Sequence, residues 1–399
     1  MTRDNKIIML ALFFWGIGEG MWFFIRGLYL EELGATPEEV GLALSLAALT
    51  IAASFLPGGL LADRLDRKHV LVAGWLAGVF APALMALANN WQEFMIGYTM
   101  YNLSAFVLPA IDAYVSHAAG HGPLGRVFPI VYAGYSIGSV IGPQLSKAVL
   151  ATLDVRAALF MSSTLFGVST LAVVFVRRQP VTRPAAQAGP HFSLVAILRP
   201  ALAFFAFLFV IEFGMSVGAQ LIPNFLQRIG WSLADVSGIG SAQPIGAACL
   251  SLLVGHLAAG NERRGLLMAQ ALALLSMAVF AFGAQAWGGA AALGYFALGG
   301  YQAARQQANA WVARYVPSEH RGTAFAMTET VAALSLAAAA MAGGLLFASN
   351  PAWPFYVGIG LIPIGALLTL RLRGPRVAQA EAARFAGVEL GPVDVVRET

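Results

Sequence analysis

Long apolar runs alternate along the chain with short polar interruptions, at intervals that suit membrane crossing. A helix needs about 20 apolar residues to span a bilayer. Runs of that kind predict twelve spans, at 7–29, 39–61, 69–88, 92–116, 126–150, 154–177, 200–226, 233–258, 264–285, 288–313, 322–348 and 352–371. The first run is too long for a cleavable signal peptide and lacks a small-residue cleavage site, so it is read as a span. Residues 178–199, rich in Pro, Ala and Arg, separate six spans from six. The expected organisation is an N-terminal half at 1–177, a linker at 178–199, a C-terminal half at 200–375 and a tail at 376–399. The expected fold is all-α and membrane-embedded: 12 transmembrane helices in two pseudo-symmetric six-helix bundles.

The pseudo-symmetry comes from a repeated polar patch. The stretch from Gly59 through Asp63, Arg64, Asp66 and Arg67 to Lys68 lies between two apolar runs, and a fainter copy runs from Gly255 to Arg264. The offset from Gly59 to Gly255 also joins Leu33 and Gly34 to Ile229 and Gly230, and Val40 to Val236. With a slip of one residue it joins Tyr98 to Tyr295 and Arg126 to Arg321. Two copies of one membrane unit, joined head to tail, explain this.

Composition agrees about the solvent. Apolar residues are 58% of the chain and charged residues 11%, against roughly 25% charged in soluble domains. Net charge is +4, but the basic residues are scattered in short loops rather than gathered on one face, which argues against nucleic acid. They follow topology instead. Of the 24 lysines and arginines, only Arg26, Lys147, Arg156 and Arg228 fall on one side of the twelve spans. Arg305 lies inside a span and the rest lie on the other side, so the positive-inside bias puts that side, with both termini, in the cytoplasm. The single cysteine, Cys249, excludes an intrachain disulfide. No nucleotide-binding loop or metal-ligand cluster occurs and no cofactor is expected. Any pumping then draws on a proton gradient or on the solute's own gradient.

The patch at 59–68 resembles the loop after the second helix in the major facilitator superfamily, which reads Gly-x-x-x-Asp-Arg/Lys-x-Gly-x-Arg/Lys-Arg/Lys. Gly59, Asp63, Arg64, Arg67 and Lys68 match, and Asp66 replaces the usual glycine. The segments ending in Arg126 and Arg321 resemble the loops that open that family's fifth and eleventh helices. Gly134, Gly138, Gly142 and Pro143 resemble the glycine–proline run on the fifth helix of its antiporters, without the trailing glycine pair. The helix-four arginine motif of many drug exporters is absent, and Asn102 stands near its place. The resemblance covers about residues 7–372. It implies an alternating-access transporter whose cavity is lined by helices one, four, seven and ten. Asp63 would face a helix N-terminus near Arg321, and Arg64, Arg67 and Lys68 would either complete a cytoplasmic latch between the halves or form a solvated basic loop that obeys topology alone. The glycine run reads as a packing and bending device.

Charges inside spans are costly, about 2.5–3.5 kcal/mol each on insertion scales, so they face cavities or partners. Glu19, Asp112, Glu212 and Arg305 fall on helices one, four, seven and ten. Glu19, mid-span, is the first candidate for binding a proton, and Glu212 the second. Arg26, seven residues from Glu19, shares its face and is expected to snorkel outward or shape the outer vestibule. Asp112, near the cytoplasmic end, is expected either to pair with a loop base such as Arg126 or to face the cavity. Glu329 is expected to be structural or gating, meeting His256 or the surroundings of Asp63. Helix ten carries Tyr301, Gln302, Arg305 and Asn309 on one stripe, where Arg305 would bind an anionic group or pair with Glu212 or Glu19. Gln220 and Gln243 are lesser polar candidates, and Trp15, Trp22, Phe23 and Phe24 suit packing or an amphipathic pocket.

These residues suit proton-coupled export of a small ionisable or amphipathic solute by a monomer in lipid. An importer or facilitator of a sugar or organic acid, and a membrane sensor that moves nothing, are the competing readings. No nucleophile–base pair marks an enzyme.

Overall fold

The computed structural model describes residues 1–119, 124–179, 194–259, 261–284, 288–315 and 321–371. The polar linker and tail of the sequence reading lie mostly outside them. Every regular element among the described residues is helical. In chain order these are α1 (Arg3–Phe23), α2 (Arg26–Glu32), α3 (Pro37–Arg64), α4 (Arg67–Leu87), α5 (Trp91–Leu103), α6 (Leu108–Ala119), α7 (Leu124–Leu150), α8 (Val155–Val174) and α9 (Leu194–Ser216). They continue with α10 (Ile222–Arg228), α11 (Leu233–Ile239), α12 (Ala242–Leu257), α13 (Glu262–Ala278), α14 (Gly288–Leu298), α15 (Gly300–Tyr315), α16 (Arg321–Ser349) and α17 (Trp353–Arg371).

Ten helical stretches are long and apolar enough to cross a membrane. The remaining two of the twelve predicted spans are α7 and the pair α14–α15, which are helical too. The chain is an integral membrane protein. Several spans are interrupted where the apolar pattern predicts one continuous helix. The first breaks between α1 and α2, the fourth at a 3-10 turn at Ser104–Val107, the seventh at Ala219–Leu221 and the tenth at Gly299. In addition, α9 begins at Leu194, inside the segment expected to be linker.

Helices α1 to α8 pack chiefly on one another, as do α9 to α17; the main crossings between the groups are α3 on α16, α7 on α11 and α12, and α2 on α10. The repeat seen in the sequence is exact at one place in the backbone. Helix α2 starts at Arg26 and α10 at Ile222, and the offset between them is the one that joins Gly59 to Gly255. Each ends on a glycine with positive φ, Gly34 at 92° and Gly230 at 97°, a conformation glycine adopts without a Cβ penalty. The closing bonds correspond: Ala35 N donates to Leu30 O and Trp231 N to Leu226 O, both at 3.0 Å. The following helices are capped alike, by Thr36 on Glu39 N and by Ser232 on Asp235 N.

The polar side-chain bonds that join the halves gather toward one end. Lys147 Nζ meets Asp235 Oδ1 at 2.9 Å, Arg228 meets Glu31 at 3.5 Å, and Gln144 Nε2 donates to Gly238 O at 2.8 Å. Ser241 Oγ donates to Val140 O at 2.7 Å. At the same end the backbones of α3 and α16 approach at Gly41 and Gly344, where a Cβ on either would overlap the other. At the opposite end, among the described residues, Arg64, Arg67 and Lys68 form no ion pair, and Arg64 is exposed. The side chains of Asp63 and Arg126 lie outside the described residues. This conformation is bonded shut at the end carrying Glu31, Lys147 and Asp235.

Candidate functional site

The site begins with two glycine-rich helices packed backbone to backbone. On α7, Gly134, Gly138 and Gly142 rest against the α1 backbone at Met9, Phe13 and Ile17. In return, Gly16 and Gly20 of α1 face Tyr135, Gly142 and Pro143. Small residues permit such close approach in membranes. The glycine run thus brings α7 against the backbone of α1. One consequence is that Tyr135 Oη donates to Glu19 Oε2 at 2.8 Å. Tyr101 also lies within hydrogen-bonding reach of Glu19. Among the described residues, its hydrogen-bond partners are thus phenols.

Of the two placements expected for Arg26, outward snorkelling does not hold: the residue lines the central cavity. The break after Phe23 leaves carbonyls without helical partners, and Arg26 Nη1 donates to Phe23 O. Its Nη2 donates to Gln220 Oε1 at 2.6 Å, across the two halves. The guanidinium lies over the Phe23 ring at 3.9 Å, a cation–π arrangement, and Tyr98 is also close. Among the described residues, no carboxylate lies within ion-pair distance of Arg26.

The helix-ten stripe is assembled differently from its expected pairing. Arg305 forms its ion pair with Glu329 of α16, and Asn309 Nδ2 donates to the same carboxylate at 3.3 Å. The bridge to Glu212 or Glu19 is thus replaced by a bond within the C-terminal group of helices. His256 is exposed and has no part in it. Helix rotation and depth decide such partners, and spacing within one helix does not encode either. Glu212 is 1% exposed and does not line the cavity. It lies behind the cavity wall, within reach of Tyr301 and close to Arg305, and among the described residues its Oε2 has no hydrogen-bond partner. Tyr301 stands between Glu212 and Ser216.

Between the halves lies a cavity of about 460 Å³. Glu19, Arg26, Gln220, Tyr301, Gln302 and Arg305 all line it, so six of the predicted residues share one space. Three pairs related by the repeat face it together: Gly20 with Ser216, Phe23 with Ala219, and Phe24 with Gln220. Gln243 of α12 lines it as well. The sequence reading missed Tyr135, Ser139 and Tyr295. The first two lie four apart beside the glycine run, a polar stripe that spacing alone exposes. Trp15 and Trp22 pack instead, Trp15 stacking on Phe166 at 4.2 Å and Trp22 lying edge-on to Tyr101 at 4.8 Å.

Two predicted residues lie elsewhere. Asp112 accepts a 2.6 Å bond from Tyr132 Oη and is exposed, and its expected base Arg126 is not described at side-chain level. Asn102 is buried and donates to Tyr98 O at 2.6 Å within its own helix, outside the cavity lining. Among the described residues, no group of three His, Cys, Asp or Glu could hold a metal ion.

The family model of the Major Facilitator Superfamily matches residues 8–307. "Multidrug resistance protein MdtG" of Dickeya zeae is 26% identical over 62% of this chain, and the chain spans 64% of that relative's length. "Multidrug resistance protein 1" of Bacillus subtilis is 21% identical over 94% of this chain and 98% of its own. Among solved structures, the nucleoside transporter NupG superposes with a TM-score of 0.75 at 15% identity, over 97% of this chain and 100% of that one. At such identity the last likeness speaks for the fold alone.

Proposed function

The chain belongs to the Major Facilitator Superfamily, and on that premise we propose that it is a secondary transporter that exports a small amphipathic organic solute in exchange for protons. The observation that carries this reading is the cavity between the halves, in which Glu19 lies against Tyr135 and Tyr101 with no cation bonded to it. Glu19 sits about one turn from the C-terminal end of α1, where helix carbonyls disfavour a negative charge and favour a cation such as Arg26. A proton on Glu19 removes that conflict. Solute entering the cavity competes with the proton, and its release lets the carboxyl load again. Glu212, behind Tyr301, is the second proton position, and Tyr301 links it to the cavity wall.

The arginine-rich loops lie at the end that, among the described residues, the cross-half polar bonds leave unjoined. With that end in the cytoplasm, the conformation is inward-open, both termini are cytoplasmic, and the protein sits as a monomer in the cell membrane. Export is favoured by the relatives named for multidrug resistance and by the glycine run on α7. The two states interconvert as differential binding of proton and solute shifts their balance.

The test uses everted vesicles that hold a proton gradient reported by an acridine dye. Amphipathic compounds are added singly to vesicles with and without the protein. At least one compound dissipates the gradient only where the wild-type protein is present. If compounds cross at equal rates with the gradient collapsed, the chain is a facilitator and the proton-exchange reading fails.

A further inference from the structure

Among the described residues, two opposite charges face the cavity without an ion-pair partner, and a third is already paired. Arg305 is matched by Glu329. Glu19 is held by the phenols of Tyr135 and Tyr101. Arg26 is held by the Phe23 carbonyl and the Gln220 amide. Glu19 and Arg26 lie near enough to act on each other electrostatically, yet they form no ion pair. They are seven residues apart along the chain, on either side of the interruption between α1 and α2. A charge in the membrane interior carries a penalty that a partner of opposite sign relieves. Glu19 and Arg26 would relieve each other if they met, but the break at Phe24 and Ile25 and the bonds to neutral groups hold them apart.

From this we infer that the site takes an amphoteric solute, with a cationic group at Glu19 and an anionic group at Arg26. The inference rests on the transport reading above and names its substrate class. Phe23, Phe24 and Tyr295 line the wall near the two charges and offer an apolar, aromatic surface to the body of such a molecule. An anion at Arg26 displaces the Gln220 amide oxygen, since a full negative charge attracts the guanidinium more strongly than an amide dipole does and can bind it bidentately. Gln220 belongs to the other half, so solute binding also releases a bond that joins the halves at the closed end. A cation at Glu19 takes the place of the exchanged proton. Both events point toward the outward-open state.

The test is binding to detergent-purified protein, measured calorimetrically with three matched probes. These are para-(aminoethyl)benzoate, which carries both charges, its methyl ester, which carries only the cation, and para-ethylbenzoate, which carries only the anion. Wild-type protein binds the doubly charged probe about tenfold more tightly than either analogue. In Glu19→Gln its advantage over para-ethylbenzoate disappears while its advantage over the ester stays. In Arg26→Gln the reverse holds. Should Arg26→Gln fail to purify as folded protein, Arg26→Lys serves: the advantage over the ester shrinks and the other stays. Equal affinities for the three probes in the wild type, absence of binding by all three, or variants that change both advantages alike overturn the inference. Binding in detergent needs no gradient, so such a failure leaves proton exchange standing. A loss of gradient coupling in vesicles would conversely leave this charge pattern intact.

Discussion

Arg26 and Gln220 join the two halves of the protein directly, through a 2.6 Å bond from Nη2 to Oε1. Both residues lie where the first helix of their own half is interrupted, Arg26 at the start of α2 and Gln220 in the 3-10 turn before α10. The repeat places Phe24, not a polar residue, opposite Gln220, so the two halves contribute unlike chemistry from like positions. The bond is partly buried and charged on one side, the class of hydrogen bond that contributes about 1.5–3 kcal/mol.

Removing Gln220 should therefore loosen the closed end. With Cys249 replaced by serine, spin labels at Thr152 and Gln227, one on each half at that end, report the separation of the halves by electron–electron resonance. Gln220→Ala raises the long-distance population about tenfold or more relative to the parent. An unchanged distance distribution would mean that Arg26 and Gln220 touch without holding the end shut.

Lys147 and Asp235 make the contrasting case, because both side chains are about half exposed, at 48% and 50%. Exposed pairs contribute about 0–1 kcal/mol. Lys147→Ala should leave the thermal unfolding midpoint nearly unmoved in moderate salt, whereas a large fall would mark a hidden structural role for the lysine.

The approach of Gly41 to Gly344 leaves no room for a Cβ. Gly344→Leu should hold the closed end apart and favour the outward-open state, with little loss of thermal stability, since the clash lies between halves that already separate. The same change at Gly138 strikes a contact within one half, against Phe13 O. There it should cost about 1–3 kcal/mol or more of stability. The two variants, compared by thermal unfolding and by the spin-label distance, separate a moving contact from a fixed one.

Arg305 and Glu329 should behave as a unit. Glu329→Gln leaves Arg305 without its carboxylate partner, and breaking one side of a partly buried pair destabilises more than removing both. The double variant Arg305→Leu with Glu329→Leu should recover much of the unfolding midpoint lost by Glu329→Gln alone. Additive losses would show that the two residues act independently.

Much of the fold was legible because membrane spans must be long and apolar, and because the offset joining Gly34 to Gly230 is preserved down to their positive φ angles. The charges at Glu19, Glu212 and Arg305 were legible for the same reason, since each interrupts an apolar run. Their partners were not. Arg305 meets Glu329 and Asp112 meets Tyr132, and both choices depend on helix rotation and depth, which spacing fixes only within a single helix. The break at Phe24 and Ile25 was hidden too, because neither Gly nor Pro marks it. Beyond that break Arg26 lines the cavity instead of snorkelling outward, so one of its two expected placements falls.

Proton exchange at Glu19 is the central proposal, and Glu19→Gln tests it most directly. For a compound that dissipates the gradient in everted vesicles, two rates are compared in wild type and variant: gradient-driven accumulation, and exchange of labelled for unlabelled compound without a gradient. The expected result is that Glu19→Gln loses accumulation and retains exchange, because alternation persists while the proton has no carboxyl to occupy. Accumulation by Glu19→Gln at the wild-type rate would contradict it.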